Sequence, residues 1–123
     1  MRLWGAAERI SGVVKRRREG SHVSVFMTFR AVGDPAELER RAGANPDGMR
    51  MLTESARPHG LISHRFFGTD DGDIMVFDEW ESAAGFQAFF AEHPEIQAMM
   101  GEVGVTAAAE IKFWRALDTH DEV

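Results

Sequence analysis

Cysteine is absent from this 123-residue chain. Its absence excludes disulfide staples and thiolate nucleophiles, and the expected compartment is the reducing cytoplasm. Long apolar runs are missing as well. No stretch approaches the roughly 20 residues that a membrane-crossing helix needs. Glu8 and Arg9 interrupt the segment from Gly5 to Val14, which makes it a poor signal-peptide core. Positive charge is scarce beyond the first 20 residues. Those hold Arg2, Arg9, Lys15, Arg16, Arg17 and Arg18 against Glu8 and Glu19, a net of +4, so the total of −6 leaves −10 on the remainder. A body this acidic repels phosphates, and nucleic acid is not an expected partner.

What is present suffices for one core. The chain has the length of a single domain, and 44% of its residues are hydrophobic. Residues 1–20 read as a basic amphipathic extension, with Leu3, Trp4, Ala7, Ile10 and Val14 near helical spacing. Such a helix suits an acidic or membrane surface, or the acidic body of the chain itself. A single domain is expected over 21–118, followed by a polar tail at 119–123.

The richest stretch is Ile74-Met75-Val76-Phe77-Asp78-Glu79-Trp80-Glu81-Ser82. Side chains alternate across a strand, so apolar residues at both parities mean that both of its faces need shelter. Val23 to Ala31 reads as an earlier strand, with Val23, Val25, Met27 and Phe29 on one face and Phe26 on the other. Asp34-Pro35-Ala36-Glu37 is a helix start with a capping box, and Asn45-Pro46 restarts the helix after Gly43-Ala44. Leu61 to Gly68 is a strand, joined to the next by an Asp71-Gly72 hairpin turn that lacks the ligand spacing of a calcium loop. Ser82 caps a helix carrying Phe86, Phe89 and Phe90, which His93-Pro94 interrupts. Glu110 to Leu117 closes the set as a fourth strand. The order is β-α-β-β-α-β, an α+β ferredoxin-like arrangement with a four-stranded antiparallel sheet. Its helices fall on one face. The other, carrying Phe26, Phe67, Met75, Phe77 and Trp114, predicts a homodimer of sheets packed face to face.

The step Asp78-Glu79-Trp80-Glu81-Ser82 into a helix with Phe86 and Phe89, and the closing Glu110-Ile111-Lys112-Phe113-Trp114-Arg115, resemble the dimeric α/β-barrel superfamily, in its antibiotic-biosynthesis-monooxygenase-like branch. The resemblance spans about residues 22–117. It implies a homodimeric barrel with a pocket between sheet and helices in each subunit. It further implies cofactor-free oxygenation of aromatic, polyketide-like substrates, or a relative without assigned chemistry. Trp80 matches a Trp of the haem-degrading members. Their first-strand Asn and last-helix His have no counterpart here, since Met99 and Met100 stand late in that helix.

Four residues can carry chemistry: His64, Asp78, Trp80 and His93. His64 alternates with Ile62 and Phe66, so an apolar setting is expected, where a histidine is either a base near neutral pH or satisfied by one bond. Asp78 can orient His64, bind a phenol, or pair with Arg30 or Arg65. Trp80 is either a flat ligand wall with one N–H donor or core packing. His93, beside Pro94, suits a capping role. Met27, Phe29, Phe66, Phe86 and His93 are expected to line the pocket, with Arg30 or Arg65 as oxyanion partner. No metal is expected, because His59 and His64 lack a complete ligand set, and no cofactor. The seven scattered methionines suit an adaptable pocket or core. Two functions remain open: a small oxidoreductase acting on a hydrophobic aromatic, and a non-catalytic dimeric ligand-binding or accessory protein.

Overall fold

A computed structural model describes residues 23–123, so the basic extension expected over 1–20 lies outside the described residues. The chain runs β1 (Val25–Val32), α1 (Pro35–Ala44), α2 (Pro46–Ala56), a short 3-10 turn (Arg57–His59), β2 (Leu61–Gly68), β3 (Asp73–Trp80), α3 (Ala83–Glu92), α4 (Glu95–Glu102) and β4 (Glu110–Trp114). The four strands form one antiparallel sheet in the order β2-β3-β1-β4. This is the α+β ferredoxin-like arrangement that the sequence pattern predicts. β1 begins at Val25 rather than Val23, and β4 stops at Trp114 rather than Leu117, where its pairing with β1 runs out.

Local chemistry sets the helix boundaries. Asp34 Oδ1 accepts from the Glu37 amide at 3.1 Å, and Asn45 Oδ1 from the Gly48 amide at 3.1 Å. Ser82 Oγ accepts from the Gly85 amide at 3.1 Å. Each satisfies an amide that the first helical turn leaves without a carbonyl partner. The capping box expected at α1 is only half made. The Glu37 carboxylate turns away from the cap to Arg40 and Arg41, which hold its pKa down to about 2, Arg40 contributing most. Gly72, at φ 94°, takes the left-handed position that the β2–β3 hairpin requires. Gly85 is small for a different reason. A Cβ there would lie 2.0 Å from the His59 carbonyl oxygen, so only glycine lets α3 seat against the 3-10 turn.

The core lies between one sheet face and the helices. Val25, Met27 and Phe29 of β1 meet Ile74, Val76 and Trp80 of β3 and Ile111 and Phe113 of β4, all buried. Phe86 and Phe89 of α3 pack on Trp80 with ring centroids 5.5 and 5.8 Å away. The other face is uncovered among the described residues. Phe67, Phe77 and Trp114 are 49%, 41% and 46% exposed, and Phe26 stacks on Phe77 at 5.8 Å.

Candidate active site

Period-two alternation carries Asp78 to the helix side of β3, and hairpin register sets His64 opposite it on β2. His64 Nδ1 lies 2.8 Å from Asp78 Oδ1, and Trp80 Nε1–H donates to Asp78 Oδ2 at 3.0 Å. Asp78 is buried at 4% exposure, and among the described residues it is the one charged residue in the buried set. A buried carboxylate is costly unless both its oxygens are satisfied, and here each has a donor. An ionised carboxylate only accepts, so the hydrogen on His64 is assigned to Nδ1. The Nε2 lone pair of the neutral ring is then left as the proton acceptor. The ring meets the edge of Phe66 at 5.1 Å, and about a quarter of the side chain is exposed.

This hydrogen-bonded chain forms part of the wall of a partly open cavity of about 80 Å³ between the sheet and the helices. Met27, Phe29, Phe66 and Phe86 complete much of the apolar lining, together with residues of α2 and α4. Four of the five expected pocket residues therefore converge there. The fifth, His93, lines an outer cleft instead, with its Nδ1 2.8 Å from the Phe89 carbonyl and its ring against that phenyl. It caps the end of α3, as a histidine before a helix-breaking proline suits.

Several expectations change. Ile62 does not share the setting of His64, because a β-bulge between Leu61 and Ser63 inserts it as an extra residue. It is Leu61 that shares the cavity wall with His64 and Phe66, while Ile62 is 41% exposed. Arg30 and Arg65 do not line the cavity, and neither pairs with Asp78. Arg30 sits on the uncovered face, bonded to Glu110 at 3.2 Å and Asp73 at 3.4 Å. Arg65 lies opposite Phe77 on that same face. Trp80 is a ligand wall only in part. At 1% exposure it is chiefly core, and its N–H steadies Asp78. The lining residues Met49, Leu52 and Met99 have no place in the expected pocket set. Their helical spacing marks them as core-facing, and the abundance of methionine was the available signal.

Among the described residues no group of three His, Cys, Asp or Glu side chains is gathered to hold a metal ion. No helix there is long and apolar enough to cross a membrane.

No protein-family model and no curated protein matches the chain. Solved structures do. A monooxygenase from the ActVA-Orf6 gene of Streptomyces coelicolor, in complex with Nanaomycin D, aligns at 18% identity and TM-score 0.57, covering 82% of this chain and 93% of that one. Rv0793 from Mycobacterium tuberculosis aligns at 18% identity and TM-score 0.54, over 80% of this chain and 99% of its own. A Nitrosomonas europaea protein provisionally named as an antibiotic biosynthesis monooxygenase aligns at 10% identity and TM-score 0.56, over 83% and 98%. At these identities the likeness is one of fold. The chain has the fold of the antibiotic-biosynthesis-monooxygenase-like proteins.

Proposed function

We propose that this protein is a homodimeric, cofactor-independent oxidoreductase acting on a small electron-rich aromatic, with His64 as the base. The observation that carries the reading is the chain Trp80–Asp78–His64 at the edge of a largely apolar cavity. A neutral His64 takes a proton from an acidic C–H or phenol on Nε2. The imidazolium that forms keeps its Nδ1–H on the Asp78 carboxylate, whose negative charge stabilises it. For a substrate with a doubly activated CH₂, the carbanion transfers an electron to dioxygen, the co-reactant, and a C–O bond forms. The proton held on His64 passes to the peroxide, and loss of water leaves C=O. One dioxygen then converts CH₂ to C=O and water. The apolar lining excludes bulk water and strengthens each electrostatic contact. Arg30 and Arg65 have no part in the step.

The homodimer rests on the uncovered face of Phe26, Phe67, Phe77 and Trp114. Covering it by a second copy calls for at least roughly 1,200 Å² of total buried surface.

A second reading, a binding module without chemistry, draws on the cavity's size. About 80 Å³ is smaller than a cavity of about 150 Å³ that accommodates benzene, so any ligand requires the wall to yield. Oxygen uptake separates the two readings. With anthrones and hydroquinones the wild type should consume oxygen above the spontaneous rate, and His64→Ala should lose about 10²–10⁴-fold. Wild-type uptake at the spontaneous rate would leave only the binding module.

A further inference from the structure

The inner cavity is too small for the substrates its chemistry suits, and its wall indicates how it enlarges. Two outer clefts of about 800 Å³ each flank it. One lies among α1, α2 and α4, and the other beside the β2–β3 turn. Met49, in the first turn of α2, borders the inner cavity and both clefts. Leu52 and Met99 are also shared between the inner cavity and the α1–α2–α4 cleft, so two of the three residues dividing those spaces are methionines. An unbranched thioether with three rotatable bonds moves aside at little cost, where a branched or aromatic side chain would not. Met49 is only half-buried, so its side chain has room to swing outward.

We infer that Met49 is a size-selecting gate, past which a ligand too long for the inner cavity extends into the α1–α2–α4 cleft. This rests on the reading of His64 as the base at the inner end. The sum of the two spaces falls within the roughly 300–1,000 Å³ of ordinary ligand pockets, which the inner cavity alone does not reach. The cleft's own residues say what the outer end carries. Met51, Met99 and Leu52 suit a flat apolar body, while Arg40, Arg41 and His93 line the same space. Glu95 and Glu102 line it too, and Glu37 already holds both guanidiniums, so neutral polar substituents at the far end of the ligand fit that mixture. Arg41 is bonded to Glu102 at 3.2 Å across the cleft, so its guanidinium is already held beside the cleft.

The test is anaerobic calorimetry with two probes, benzene-1,4-diol and anthrone, against wild type, Met49→Ala, Met49→Leu and Met49→Phe. Without oxygen the measurement reads binding and not turnover, so its outcome is separate from that of the oxygen-uptake test. Opening the gate should tighten anthrone binding to Met49→Ala by at least about tenfold, the scale on which a few methylenes discriminate ligands. Binding of benzene-1,4-diol, which asks the wall to yield less, should change by less than about threefold, whereas Met49→Leu, whose branched chain does not move aside, should weaken anthrone despite its conserved volume. Met49→Phe should weaken anthrone alone. Parallel shifts for both probes, no shift for either, or no anthrone binding to Met49→Ala would each overturn the gate.

Discussion

The two faces of β3 come from the same eight residues and share one backbone, yet they have opposite fates. Ile74, Val76, Asp78 and Trp80 face the helices and are all buried. Met75, Phe77 and Glu79 face outward and stay partly or largely accessible. On the inner face a charge is tolerated because Asp78 has a donor on each oxygen. On the outer face aromatic surface is tolerated at a different cost, and Phe77 remains 41% exposed. The inner face is a finished core that includes a site. The outer face is left open among the described residues. Burial alone does not decide what a strand contributes; the completeness of its partners does.

The two tryptophans give this contrast its largest test. Trp80 is buried and bonded to Asp78, whereas Trp114 is 46% exposed, bonded to Thr28 at 2.9 Å with Lys112 over its ring. Trp80→Ala should lower stability by about 3–5 kcal/mol in urea unfolding, at any protein concentration, because it empties core volume and leaves Asp78 one donor short. Trp114→Ala should cost under about 1 kcal/mol at high dilution, and more as concentration rises, because a partner chain then covers the site. A concentration-independent cost for both would mean that the outer face is finished within one chain.

The inner and outer faces were legible in the sequence to different depths. Period two in Ile74–Trp80 separates the faces, and the Asp71-Gly72 turn locates the hairpin. The pairing of His64 with Asp78 was within reach too. His64 lies four residues before Gly68 and Asp78 four after Ile74, and Gly68 pairs with Ile74. Parity likewise puts Arg30 and Arg65 opposite to Phe29 and Phe66, so the oxyanion expectation followed charge where alternation was the better guide. The bulge at Ile62 was not legible, because it is a property of the pairing with β3 and carries no mark in the strand's own residues. The cavity wall shared by α2 and α4 depends on how helices distant in sequence come together, which periodicity does not specify.

A smaller effect on stability, and a sharper one on assembly, is expected at Phe77. Phe77→Glu puts a carboxylate in the centre of the outer face without touching the core. Sedimentation at micromolar concentration should give twice the 13.7 kDa of the chain for wild type and the single-chain mass for the variant, with the far-ultraviolet circular dichroism unchanged. A wild type that sediments as one chain would break the comparison at its outer half, since an unpaired apolar face would then be stable in water.

The smallest effect belongs to Ile62, the residue that belongs to neither face by alternation. It is 41% exposed and has no opposite number on β3, whereas Leu61 pairs with Trp80 and Ser63 with Glu79. Ile62→Thr keeps the β-branched shape at a position outside the core, so stability should move by less than about 0.5 kcal/mol. Deleting Ile62 is the more searching change. With the extra residue gone, Leu61 still points inward, Ser63 outward and His64 inward, so ordinary alternation reproduces the present faces without a bulge. The His64–Asp78 bond should survive, seen as a downfield imidazole Nδ1–H proton in the nuclear magnetic resonance spectrum of both forms. A deletion that folds but loses this resonance would show that the bulge aims His64, through the local twist it adds, and that strand register alone is not enough to build the site.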